Sequence, residues 1–232
     1  MDGTNGNTAL LPIEAKLISS KFSARGEVSK FQDDAHRHVR LDSIMEQGRI
    51  EDVLRLVVPA KVPPLSGVLR FHSIIDVPAG NEDVVENMRL DGQFQVATAR
   101  FASLDIRQKL RSLSRKGQGK PDVESAGSSI SNLRGNFVAD HGEIHFATLV
   151  FEPEGAEVNL TGTYGLIEQK LNLHGRLYLD AKLSQTTTGV KAFFLKALDP
   201  LFRSKQGGLA IPIKITGDRS NPSFGLDVAA KK

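Results

Sequence analysis

The side chains able to do chemistry in this 232-residue chain are few and scattered. There are six histidines and no cysteine, which excludes thiol nucleophiles, disulfides and thiolate metal sites. His141 and His145 have the i, i+4 spacing that two zinc ligands use on a helix. Gly142 and the flanking alternation put them instead in a turn and a strand, where positions four apart lie about 13 Å from each other, too far for one metal ion. His36 and His38 with Asp33 and Asp34 form a polar loop cluster, a weak metal candidate. Glu152 and Glu154 are paired acids that read as surface groups, without the partners an acid–base pair needs. Gly117-Gln118-Gly119-Lys120 lacks the strand before it and the helix after it that a phosphate loop requires, and there is no Gly-x-Ser-x-Gly elbow or dinucleotide fingerprint. Asn159-Leu160-Thr161 fits a glycosylation acceptor but falls inside a strand pattern. The expectation is a protein without catalysis, metal or cofactor.

The elements that hold these residues are more informative. Residues 156–184, AEVNLTGTYGLIEQKLNLHGRLYLDAKLS, read as two long neighbouring strands. Leu171, Leu173, Gly175, Leu177, Leu179, Ala181 and Leu183 fall at every other position, with Lys170, Asn172, His174, Arg176, Tyr178, Asp180 and Lys182 between them. A strand sends successive side chains to opposite faces, so one face is aliphatic and the other polar. Val158, Leu160 and Gly162 repeat the pattern upstream, and Gly165, Glu168 and Gln169 suit the hairpin turn between the two. At ~3.3 Å per residue the longer strand spans roughly 40 Å. Its aliphatic face needs an equally long apolar partner.

Composition bounds what that sheet belongs to. With 40% hydrophobic residues the chain can bury a sizeable core. Lys+Arg 30 against Asp+Glu 27 leaves a net charge of +3, too mild to argue for nucleic acid. No apolar run approaches the ~20 residues of a membrane span, and the opening MDGTNGNTALLP shows neither the basic nor the apolar region of a signal peptide.

In chain order, alternation predicts strands over 10–19, 21–30 and a short one over 38–45. Ile50, Val53, Leu54 and Val57 follow helical spacing, predicting a short helix over 50–58 ended by Pro59. Val62-Pro63-Pro64 is a stiff connection and the best internal boundary. Strands are predicted over 67–77, 90–101, 130–139, 143–151, 209–216 and 223–228, and Asn81-Glu82-Asp83 suits the start of a short helix. Ile106, Leu110 and Leu113 predict a basic helix over 103–115, followed by a Gly-rich polar linker over 116–129. Val190, Phe193, Phe194 and Ala197 predict a helix over 189–198, stopped by Asp199-Pro200. Glycine recurs inside the strands, in ARGEV, RLDGQF, LRGNF, LTGTY, LHGRL and ITGDR. That recurrence reads either as close backbone approach and systematic bending, or as the chance scatter of 21 glycines.

The stretch LTGTYGL from Leu160, the run LNLHGRLYLDAKLSQTTTGVKAFFLKALDPLF and the closing IPIKITGDRSNPSFGLDV resemble the C-terminal region of bacterial AsmA-like proteins. GRIEDVLRLVVPAKVPPLSGVLRFH and MRLDGQFQV resemble the part upstream, so the resemblance covers most of the chain from about Leu10. It implies a long twisted sheet of the kind found in bridge-like lipid-transfer proteins, associated with phospholipid movement and envelope integrity on the periplasmic side of the inner membrane. It brings no catalytic residues. The chain departs from that family in lacking its usual length and N-terminal membrane helix, as expected of a fragment, a truncated gene product or a free-standing C-terminal piece.

The expected fold is therefore mainly β: a long twisted antiparallel sheet, forming an open groove or a covered face, with three or four short covering helices. Residues 1–62 form an N-terminal β segment with a short helix and 63–232 an AsmA-like β domain, unless the two make one continuous sheet. The resemblance makes phospholipid or another acyl-chain lipid the expected partner, with inner-membrane or envelope proteins beside it and no nucleic acid. Groove-lining candidates are Val158, Leu160, Leu171, Leu173, Leu177, Leu179 and Leu183. Candidates for contact with a membrane or head group are Arg107, Lys109, Arg111, Lys191 and Phe194. The competing expectation is a structural or interaction domain whose apolar face is closed internally or by a partner chain, with those leucines as ordinary core.

Overall fold

The computed structural model describes residues 6–30, 37–57, 63–80, 84–101, 129–153, 156–180 and 208–227. The described strands all belong to one 12-stranded sheet. In chain order these are β1 (Thr8–Leu17), β2 (Ser20–Lys30), β3 (Arg37–Arg49), helix α1 (Ile50–Val57), β4 (Leu65–Ser66), β5 (Val68–Val77), helix α2 (Val84–Asn87), β6 (Arg89–Phe101), β7 (Ser129–Asp140), β8 (Glu143–Glu152), β9 (Ala156–Gly165), β10 (Lys170–Asp180), β11 (Gly208–Asp218) and β12 (Ser223–Leu226). Apart from β4, which pairs with β6, each strand hydrogen-bonds antiparallel to the next strand in sequence, so the sheet is an open meander with β1 and β12 at its edges. The mainly β, antiparallel expectation holds. Hairpin connections explain it: antiparallel neighbours need only tight turns, whereas parallel ones need long crossovers.

The alternation located most strands within two residues, and β3 is the exception. It continues to Arg49, because Glu46 and Gln47 sit in a register shift between Met45 and Gly48, after which pairing with β5 resumes at Gly48 and Leu69. A bulge of this kind breaks the sequence alternation without ending the strand. Strands on both sides of the expected boundary belong to one sheet, since β3 and β5 are direct neighbours. Of the expected helices, α1 and a four-residue α2 are present. The helices predicted over 103–115 and 189–198 lie outside the described residues.

Helix α1 follows β3 without a break and is held by side chains that suit its ends. The Ile50 N–H donates to Gly67 O at 3.1 Å, and the Glu51 carboxylate accepts the Gly67 N–H at 3.3 Å. Asp52, buried to 3% exposure, accepts from the Ser19 N–H (3.1 Å), the Ser19 hydroxyl (2.6 Å) and the Ser20 hydroxyl (2.7 Å). These bonds latch the acidic first turn of α1 to the β1–β2 turn, while Ile50, Val53 and Leu54 pack into the core.

The recurring glycines have a structural reason. A Cβ on Gly26 would lie 1.9 Å from Arg40 O, on Gly175 1.9 Å from Asn159 O, on Gly162 2.1 Å from Asn172 O, and on Gly92 2.6 Å from His72 O. On Gly135 it would meet the Phe94 ring and Thr148 O. In each case the neighbouring strand leans across the space a side chain would occupy. These positions bear out the close-approach reading of the repeat. Gly217, the last of the series, has nothing within 4 Å, and its φ of +92° is the backbone reason for a glycine there.

Candidate functional site

Cross-strand register assembles one apolar face from almost every strand. Along one row, Leu41, Ile75, Leu90, Ala139, Ile144, Tyr164 and Leu171 are successive partners from β3 to β10. The row beside it in β9–β12 runs through Gly162, Leu173, Ile215 and Phe224. Nearer α1, Leu69 pairs with Val96 and Val96 with Leu133, while Phe151, Val158, Leu177 and Ile211 are successive partners further along. Phe71, Phe94 and Phe137 meet at the centre, with ring centroids 6.1 Å (Phe71–Phe137) and 6.2 Å (Phe94–Phe137) apart. Since every described strand belongs to this sheet, no second sheet covers the face among the described residues.

Cover is graded along the strands. At the end where α1 packs, here the proximal end, Leu69, Val96, Ala99, Ile130, Val158, Leu177 and Ile211 are all 2% exposed or less. At the distal end, which holds the 141–142 and 166–168 turns, Val39, Leu41, Ile75, Leu90, Ile144 and Leu171 are only half-buried. Phe71, Phe94, Phe137 and Phe146 between them are half-buried too.

The expected groove residues divide accordingly. Val158, Leu160, Leu173 and Leu177 lie on the apolar face as the alternation implies, but at 0%, 2%, 5% and 1% exposure they leave almost no surface for a ligand in this conformation. Leu171 is half-buried and lies in the distal row. Leu179 pairs with Ala156 and Leu209 in register, and its side chain is outside the described set. Leu183, Arg107, Lys109, Arg111, Lys191 and Phe194 lie outside the described residues. Sequence reasoning missed the distal rows of β3, β5, β6 and β8. Their alternation was legible, but which end of each strand would be covered was not.

The opposite face is polar and laced with ion pairs. Asp42 accepts from Arg25 (2.9 Å) and pairs with His72 (2.7 Å), and hydrogen bonds from His72 and then Arg25 hold its carboxyl below the usual aspartate range. Asp76 pairs with His38 (2.8 Å) and Arg40 (3.4 Å), and Asp227 with His174 (2.7 Å). His141 lies in the β7–β8 turn beside Asp140, and His145 lies on β8 beside Glu143. Among the described residues no group of three or more His, Asp or Glu could hold a metal ion. Asp33, Asp34, His36, Glu154 and residues 117–120 lie outside them. Glu152 accepts from Asn132 (2.9 Å) and lies 3.7 Å from Arg134.

Asp52 is a buried carboxylate held by hydrogen bonds rather than by an ion pair. Burial raises its pKa, and the hydrogen bonds from Ser19 and Ser20 outweigh that, leaving the carboxyl below its ordinary value. Its role is to fix α1 over the proximal core. Among the described residues, no helix is long and apolar enough to cross a membrane. No protein-family model matches this chain, and no curated protein or solved structure matches it.

Proposed function

We propose that this chain is a non-catalytic envelope-biogenesis module of AsmA-like type that binds or guides phospholipid acyl chains along the apolar face of its sheet. The observation that supports the reading is the distal row Leu41–Ile75–Leu90–Ala139–Ile144–Tyr164–Leu171, apolar and continuous over β3 to β10 with most members only half-buried. Its six steps between strands, at ~4.8 Å each, give a track of roughly 29 Å. Each methylene that leaves water there contributes about 0.8 kcal/mol, whatever head group is attached. Binding is then broad in lipid identity, and movement is passive sliding along a greasy surface. No residue has to do chemistry. The periplasmic side of the inner membrane, with envelope proteins as further partners, is the setting that the AsmA-like resemblance implies.

A specific observation favours a second reading for part of the molecule. The near-complete burial of Leu69, Val96, Val158 and Leu177 is what a structural domain with a closed core would have. On that reading the distal strip is the margin of a core and binds nothing.

Native mass spectrometry of the folded chain, gently extracted from a bacterial host, separates the two. Co-purifying phospholipid that is lost in Ile75→Gln and Leu90→Gln, with the circular dichroism spectrum unchanged, supports lipid guidance. A clean apo mass together with no binding of an environment-sensitive apolar dye contradicts it.

A further inference from the structure

The polar face holds a cleft that the lipid reading does not use. It is open, about 700 Å³ in volume, and lies across β3, β5, β6, β7 and β8. Ligand sites occupy the range of about 300–1,000 Å³. Two cross-strand rows of polar side chains line it, together with the apolar Ile44 and Val150, and Met45, Phe71 and Phe94 of the strands beneath reach its floor. Arg70 pairs with Gln95 and Gln95 with Arg134; beside them His72 pairs with Gln93, Gln93 with Asn136, and Asn136 with Thr148.

The hydrogen-bonding state of these groups is uneven. Asn136 donates to the Thr148 hydroxyl at 3.0 Å and His72 is engaged by Asp42, so those two are occupied. Arg70, Gln93 and Gln95 make no side-chain hydrogen bond or ion pair among the described residues. Arg134 has one long ion pair, 3.7 Å to Glu152, and Glu152 also accepts from Asn132. A guanidinium carries five N–H donors in a planar fork, so both arginines keep donors to spare. One acid, Glu46, lines the cleft on the β3 side.

Two guanidinium groups flanking an amide, two strand spacings or roughly 10 Å apart, present their donor forks from the same face of neighbouring strands. An oxyanion is the complementary guest: it accepts bidentate hydrogen bonds from each fork, and the Gln95 amide donates a further one. We propose that this cleft is a binding site for a phosphoryl group, flanked by Arg70 and Arg134, with Gln93 and Gln95 supplying neutral donors to the rest of the ligand. The phosphoryl group belongs either to a small soluble phosphate ester or to the head group of an anionic phospholipid. The site is on the face opposite the acyl-chain track, so it stands or falls independently of it.

The test titrates the full chain with inorganic phosphate and glycerol 3-phosphate by calorimetry, and separately with vesicles of phosphatidylglycerol or phosphatidylcholine by co-sedimentation. Saturable binding of a soluble phosphate, weakened at least tenfold in both Arg70→Gln and Arg134→Gln, assigns the site to soluble esters. Binding to phosphatidylglycerol vesicles alone, lost in the same variants, assigns it to lipid head groups. Arg176→Gln, exposed on the same face of β10 and outside the cleft, keeps wild-type binding in either case. The proposal is overturned if neither probe binds, if Arg70→Gln and Arg134→Gln bind as wild type, or if Arg176→Gln weakens binding as much as they do. Circular dichroism of each variant confirms that a loss is not unfolding.

Discussion

The two ends of the apolar face are built from the same residue types by the same alternation, yet they are covered to different degrees. At the proximal end Leu69, Val96, Val158 and Leu177 are all but sealed, and α1 is latched over the neighbouring β3–β5 region through Asp52. At the distal end Leu41, Ile75, Leu90 and Ile144 make an equally continuous row that stays half in solvent. Apolar composition therefore does not separate the sealed core from the half-buried strip. Cover does, and it differs between the two ends of the same strands.

The largest expected effect comes from placing a charge at each end. Leu177→Asp buries an unpaired carboxylate and costs on the order of 4 kcal/mol or more, a large share of the roughly 5–15 kcal/mol of an ordinary domain, so the urea midpoint falls steeply. Ile75→Asp, at the distal end, leaves a cooperative transition, lowered by about 1–2 kcal/mol. Equal losses at the two sites would erase the distinction between the ends.

The glycines sharpen the comparison. Gly175→Ala drives a methyl group into the Asn159 carbonyl and lowers stability by roughly 2–4 kcal/mol, because backbone rather than a flexible side chain must move. Gly225→Ala, where the nearest atom is the Lys214 side chain at 3.9 Å, changes it by less than about 0.5 kcal/mol. Chemical denaturation of the two variants side by side reads the difference.

Asp52→Asn keeps the shape of the latch but removes its charge, and costs about 1–3 kcal/mol. The pH dependence has a definite sign. The folded pKa of Asp52 lies below its unfolded value, near 3.8. Its contribution is therefore fully present above that unfolded value and is lost as pH falls through the folded one. The wild-type midpoint falls over that acid window by more than the Asn variant's does, because that variant has no carboxyl to protonate. Parallel pH profiles would remove Asp52 from the account.

The smallest effect is at the surface. Arg25→Gln breaks an ion pair whose arginine side chain is 68% exposed, and shifts the midpoint by about 0–1 kcal/mol, less in high salt.

Much of this architecture was legible because a period of two is a strong local signal. Leu171, Leu173 and Leu177 declared their shared face, and tight turns at Gly142 and Gly165 implied the meander. The extent of β3 was not legible, since the shift at Glu46 and Gln47 hides a continuing strand behind a broken pattern. The seven groove candidates were chosen from one hairpin, and Val158, Leu160, Leu173 and Leu177 proved to be core. Alternation says which face a side chain takes and carries no information on what lies over it. The Arg70–Gln95–Arg134 row was invisible for a related reason: its members are far apart in sequence and meet only through the register of three strands.

The most direct test of the account is photo-crosslinking of the folded chain with a fatty acid bearing a diazirine on its acyl chain, followed by peptide mapping. The account predicts adducts on β3, β5, β6 and β8 around Leu41, Ile75, Leu90 and Ile144, competed away by unlabelled phospholipid, and none around Val158 or Leu177. Adducts concentrated at Val158 and Leu177, or no competable adduct at all, would contradict it.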